Sequence, residues 1–120
     1  MKTSELSGLA LDWAVGKCLG HAKFYNYGSY IRIPIQPTGL LTFCPSTDWA
    51  QGGPIIEREK IEVGRQGTEW IACIDPVDGD WETNGQYGPT PLVAAMRCYV
   101  ASKLGDEVEI PEQLLEVERA

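Results

Sequence analysis

The chain predicts an α+β fold: an antiparallel sheet of about four or five strands with two main helices, the first and the last long ones, packed on it. Three observations carry this. Apolar residues recur at helical spacing over 4–19 and again over 90–104, and the stretches between them are short, alternating in character and punctuated by turn formers. A length of 120 residues predicts a single domain over 1–120 with one continuous core. Residues 106–120 form an acidic C-terminal tail.

Leu6, Leu9, Ala10, Trp13 and Ala14 trace the stripe of the first helix, widened by Leu11, Val15 and Cys18. Thr3 or Ser4 caps its start and Gly20 ends it. Gly8 and Gly16 each cost such a helix about 1 kcal/mol relative to alanine, which points to close packing against a sheet or another helix. Trp13 lies inside the stripe and reads as core. Next come two strands, Tyr30 to Ile35 and Leu40 to Cys44, joined by Gln-Pro-Thr-Gly. The tract 24–30 before them holds Phe24, Tyr25, Tyr27 and Tyr30. It reads either as a strand edge with exposed tyrosines or as a stacking surface.

Residues 46–59, Ser-Thr-Asp-Trp-Ala-Gln-Gly-Gly-Pro-Ile-Ile-Glu-Arg-Glu, match neither helical nor strand periodicity. Gly52 and Gly53 permit unusual backbone angles or close approach, Pro54 fixes its own φ, and Trp49 is costly to leave on a solvated loop. The indole either plugs the end of the core or contacts a ligand. Glu57 and Glu59 would share one face of a strand, a spacing more often exposed than catalytic. A hairpin follows: Lys60 to Val63, a turn at Gly64-Arg65-Gln66-Gly67, then Thr68 to Ile74 with Trp70, Ala72 and Ile74 on one face. Trp70 reads as core and Arg65 as a solvated turn residue.

Residues 75–89 show no usable periodicity and read as a long loop. Asp75, Asp78, Asp80 and Glu82 lack the spacing of a calcium loop, and Trp81 and Tyr87 would anchor a ligand or a protein if exposed. The surest helix runs from Thr90 to Leu104, with Thr90 as N-cap, Pro91 at the first helical position and Gly105 ending the run. After it, Val108 to Ile110 read as extended, and Pro111 opens a brief helix through Leu115.

Ten Lys and Arg against seventeen Asp and Glu leave a net charge of −7, which repels a phosphate backbone unless the few cations gather on one face. Extended nucleic acid is therefore not an expected partner. Six of the acids lie in the last fifteen residues, so the rest of the domain is nearer neutral and open to a small anion. No stretch approaches a membrane span and the start lacks the pattern of a secretory signal, so the expected compartment is the cytoplasm. Cys18, Cys44, Cys73 and Cys98 are scattered without a Cys-x-x-Cys pair, and only His21 could complete a site. They read as free thiols, with no metal and no cofactor.

Three segments together carry a resemblance. Leu-Asp-Trp-Ala-Val (11–15), the stretch 46–59, and Gly-Pro-Thr-Pro-Leu-Val-Ala-Ala-Met-Arg-Cys-Tyr-Val-Ala (88–101) resemble the phage NinX family, small proteins of lambdoid and related phages and prophages without an assigned activity. The resemblance covers nearly the whole chain and departs mainly in 21–43 and 75–87. It implies one domain working in the cytoplasm of an infected cell, and it supplies no chemistry.

Catalysis finds little footing: the single histidine adjoins a glycine, and neither a Gly-x-Ser-x-Gly elbow nor a phosphate-binding Gly-Lys-Ser motif occurs. Binding is better supported. Gly85-Gln86-Tyr87-Gly88-Pro89 leads into the N-terminus of the surest helix, where backbone amides and the helix dipole favour an anion. The expected ligand contacts are Asp48, Trp49, Gln51, Gly52, Gly53, Arg58, Tyr87, Gly88, Thr90 and Arg97. Trp49 or Tyr87 stacks on a base, Gln51 reads its edge, Arg58 or Arg97 neutralises charge, and the glycine segments with the Thr90 hydroxyl cradle a phosphate. The expected function is non-catalytic sequestration of a small nucleotide-like signal by a homo-oligomer, a role the phage context suggests as a counter to host defence. The alternative is a module that docks a host or phage protein through Trp49, Trp81 and the 24–30 tract.

Overall fold

The computed structural model describes residues 1–74 and 85–111. A single 3-10 turn (Thr3–Glu5) precedes α1 (Gly8–Cys18), and a first sheet of β1 (Tyr25–Asn26), β2 (Ile31–Pro34) and β3 (Leu40–Phe43) follows. Then come α2 (Trp49–Glu59), a second sheet of β4 (Ile61–Gln66), β5 (Glu69–Ile74) and β6 (Gln86–Gly88), and α3 (Pro91–Leu104). Both sheets are antiparallel with their strands in sequence order.

The class is α+β as expected, but among the described residues the expected single sheet of four or five strands is two sheets of three, and a third helix lies between them. Gln51 supplies a physical reason. From α2 its side-chain amide donates to the Thr42 carbonyl (2.7 Å) and accepts from the Cys44 amide (2.8 Å). Those are backbone groups of β3 and of the residue that follows it, which a neighbouring strand would otherwise use, so this edge is closed by a side chain.

The segment 46–59, expected to be irregular, is mostly helix. Asp48 caps α2 by accepting from the Ala50 amide at 3.0 Å, and Lys60 terminates it in the left-handed region at φ 55°. Glu57 and Glu59 are consequently helical, not strand neighbours. The first helix also starts later than expected. Gly8 takes φ 55°, which breaks the run between the 3-10 turn and α1. Thr3, instead of capping, is fully buried and donates from its hydroxyl to the Gly105 carbonyl at 2.6 Å. Reciprocal bonds between Met1 and Val108 at 3.0 and 2.9 Å complete the pairing of the N-terminal segment with the stretch after α3.

The β2–β3 hairpin follows expectation. In β4–β5 the turn moves to Gly67–Thr68, because Gly64 pairs with Ile71 and Arg65 with Trp70 inside the ladder. Arg65 is exposed as expected, but it sits within the ladder next to the turn and lies over the half-buried Trp70 ring, 5.4 Å from its centroid. Within the expected 75–89 loop, Gln86–Gly88 is a strand bonded to β5. The acidic positions 75, 78, 80 and 82, Trp81, and the helix expected from Pro111 to Leu115 lie at or beyond the edges of the described residues.

The core is centred on α3, which contacts α1, α2 and all three strands of the second sheet. Leu6, Leu11, Val15, Ile31, Met96, Tyr99 and Val100 are its largest fully buried apolar members. Trp13 is half-buried against this core and packs on Phe24 at 6.2 Å between ring centroids. Gly16 lets α1 rest on the first sheet, since a Cβ there would lie 2.6 Å from the Phe24 ring.

Candidate functional site

The N-terminal ends of α2 and α3 meet, and Gly52 is the reason they can. A Cβ at that position would fall 2.5 Å from the Pro45 carbonyl oxygen and 2.6 Å from Leu92 Cδ2. Gly88 does the same on the other side, where a Cβ would fall 2.6 Å from the Ala94 amide nitrogen in the first turn of α3. These glycines act by allowing close approach, with both backbones at ordinary φ.

Where the two ends converge, a cleft of about 240 Å³ opens, lined by Ser46, Thr47, Trp49 and the first turn of α3 from Thr90 to Val93. Trp49 forms its rim and is 56% exposed, the largest exposure among the large hydrophobic side chains described. Leu92, 3% exposed, supplies apolar wall. Thr90 caps α3 by accepting from the Val93 amide at 3.1 Å, and Asp48 caps α2. At each end one early amide, that of Trp49 and that of Leu92, has no acceptor among the described residues.

Ser46 is the buried polar residue of the lining. It is 2% exposed, its amide donates to the buried Asp12 carboxylate at 2.9 Å, and its Oγ has no hydrogen-bond partner among the described residues. Asp12 reaches it from α1 and so ties the first helix to the cleft. A hydroxyl left without a partner inside a wall is costly. Neighbouring Cys44 has its thiol pushed above the usual range, mainly by burial, with a bond from Thr47 opposing.

The ten expected contacts are divided by the fold. Trp49 and Thr90 line the cleft, Asp48 and Gly53 flank it, and Gly52 and Gly88 set its width. Gln51 is turned away, its amide committed to β3. Tyr87 is in β6 opposite Ile71, and its carbonyl accepts from Arg97 at 2.7 Å. Arg97 also donates to the Leu6 carbonyl at 2.7 Å, so it clamps the N-terminal segment and β6 onto α3. Burial lowers its pKa, with the charge of Glu69 opposing. Arg58, near the opposite end of α2, pairs with Glu59 at 2.9 Å and donates to the Tyr99 hydroxyl at 3.4 Å.

Asp12, Ser46 and Leu92 escaped the sequence reading as site residues. Asp12 had a signal, a carboxylate set within an apolar helical stripe. Ser46 had none, because its burial depends on the α2–α3 approach.

No group of His, Cys, Asp or Glu suited to a metal ion occurs among the described residues, and no helix there is long and apolar enough to cross a membrane. The four cysteines are free thiols, Cys73 and Cys98 buried and Cys18 and Cys44 half-buried. A family model described as Bacteriophage P22, NinX matches residues 2–103, and the chain belongs to that phage family. No curated protein matches it.

Proposed function

We propose that this phage-family protein binds a small nucleotide-like ligand in the Trp49 cleft without turning it over, and so withholds a signal from the host. The observation that carries the reading is an exposed indole above a cleft that opens between two helix N-termini. A planar base stacks on Trp49, with Leu92 and Val93 covering its edge. A phosphate or carboxylate faces the Trp49 and Leu92 amides, where both helix dipoles favour negative charge.

The geometry also limits the ligand. Neither Arg58 nor Arg97 lines the cleft, so charge is balanced by amides and dipoles alone. That favours a single anionic group over a polyphosphate. A volume of about 240 Å³ holds one ring with its anionic group, below the roughly 300 Å³ where drug-sized pockets begin. A dinucleotide would therefore enter by one end.

Thermal unfolding in the presence of adenosine monophosphate, ADP-ribose and cyclic dinucleotides tests this, with recovery of each ligand by chromatography. A ligand at about 100 times its Kd adds about 2.7 kcal/mol, several degrees for a domain of this size. The expected result is a rise with at least one compound, its loss in Trp49→Ala, and intact ligand afterwards. No rise with any compound, or a rise that Trp49→Ala leaves unchanged, contradicts the site; a converted ligand contradicts the non-catalytic role.

A further inference from the structure

The outer face of the first sheet carries a second, independent constellation. Register places Tyr25, Arg32 and Thr42 in one row and Pro34 opposite Leu40, while Ile31 and Ile33 turn into the core. Tyr27 and Tyr30, in the turn between β1 and β2, stack at 5.2 Å with their planes 13° apart. The Arg32 guanidinium lies 5.4 and 5.5 Å from their ring centroids. Its Nε is buried without a hydrogen-bond partner, and no carboxylate among the described residues pairs with it. Tyr25, Tyr27 and Leu40 are each more than 40% exposed.

Charge is segregated in the same region. From residue 13 to residue 47 there is no Asp or Glu, only Lys17, Lys23 and Arg32 among the formal charges, so all seventeen acids lie elsewhere. A cation held by two aromatic rings, with no carboxylate among the described residues paired to it and an apolar rim, is the composition of a protein-interface hot spot.

We infer that this face docks an acidic segment of another protein, with a carboxylate on Arg32 and an apolar side chain over the tyrosines and Leu40. A carboxylate accepts from the terminal N–H groups of the guanidinium, whose orientation the two tyrosine rings fix. A nucleic-acid strand fits less well. Nucleic-acid surfaces are strongly cationic, whereas this face presents one arginine by register on a chain of net charge −7. A second copy meeting the same face by two-fold symmetry would bring two Arg32 patches together.

The test pans a random 12-residue peptide library on the immobilised full chain and measures the best enriched peptide by fluorescence anisotropy at low and high salt. A thymidine 20-mer and sedimentation of the protein alone are the comparisons. The expected outcome is enrichment of Asp or Glu beside Leu or an aromatic, with binding weakened about tenfold or more by Arg32→Gln and by Tyr25→Glu. Trp49→Ala leaves it unchanged, which separates this surface from the cleft. Thermal unfolding of each variant confirms folding, and Tyr25→Glu, at an exposed position, serves if Arg32→Gln does not fold. Enrichment without acids, insensitivity to both variants, Arg32-dependent binding of the oligonucleotide alone, or a dimer dissociated by Tyr25→Glu would overturn the inference.

Discussion

Asp12 and Arg97 show how single polar side chains hold this fold. The Asp12 carboxylate, 4% exposed, accepts from the Ser46 amide across the core. Asp12→Ala removes a charge-assisted bond and leaves a buried amide unpaired, so the expected loss is about 1.5–3 kcal/mol in denaturant unfolding. Asp12→Asn retains an acceptor and loses less. Neither effect was legible from composition, since a carboxylate in an apolar stripe announces an anomaly without naming its partner. Thr90 was legible, because its cap needs only the three residues that follow it. The thiols add a pH dependence. Burial, reinforced by Cys73, pushes Cys98 up to about 12, and burial pushes Cys18 to about 11. An unfolded thiol ionises near 8.5, so above that pH the unfolded chain releases protons that the folded one keeps. Stability from these groups is present below about pH 8.5 and falls as pH rises towards 11–12. Denaturant titrations across that window should show the decline, and alkylation of Cys98 at pH 8 should follow global unfolding.

At the scale of elements, α2 is the instructive case. Its sequence contains Gly52, Gly53 and Pro54 in succession, and an interior proline costs a helix about 3 kcal/mol. Local propensity therefore argued for an irregular segment. Tertiary packing overrides it: Ile55 is 4% exposed, and Gly52 is wedged between Pro45 and Leu92. α3 was legible because cap, first-turn proline and terminal glycine agree with its apolar positions. The two adjacent glycines of α2 separate packing from propensity. Gly52→Ala should destabilise by about 1–3 kcal/mol, since overpacking outweighs the roughly 1 kcal/mol gain in helix propensity. Gly53→Ala meets nothing nearer than Trp49 Cε3 at 3.9 Å, and should stabilise by about 0.5–1 kcal/mol. Thermal melts of the pair should move in opposite directions.

Over the whole molecule, the number of strands was nearly legible and their grouping was not. Alternation located β2, β3, β4 and β5, but nothing local indicates that Gln51 occupies the β3 edge or that Gln86–Gly88 joins β5. Similarly, a net charge of −7 conceals an acid-free stretch of 35 residues that builds the first sheet. Arg97 links distant parts by bonding the Leu6 and Tyr87 carbonyls. Arg97→Ala should cost about 2–4 kcal/mol, with amide exchange rising first in 1–7 and 86–88.

If the joined N-termini of α2 and α3 form a receptor beneath Trp49, nuclear magnetic resonance reads it residue by residue. In a 15N-labelled sample titrated with adenosine monophosphate, ADP-ribose and cyclic dinucleotides, at least one compound should move the Trp49 indole N–H and the Leu92 amide together. Those shifts should saturate at one equivalent site. If both resonances stay in place with every compound to millimolar concentration, or if the responding amides lie away from 46–49 and 90–93, the account of this cleft is wrong.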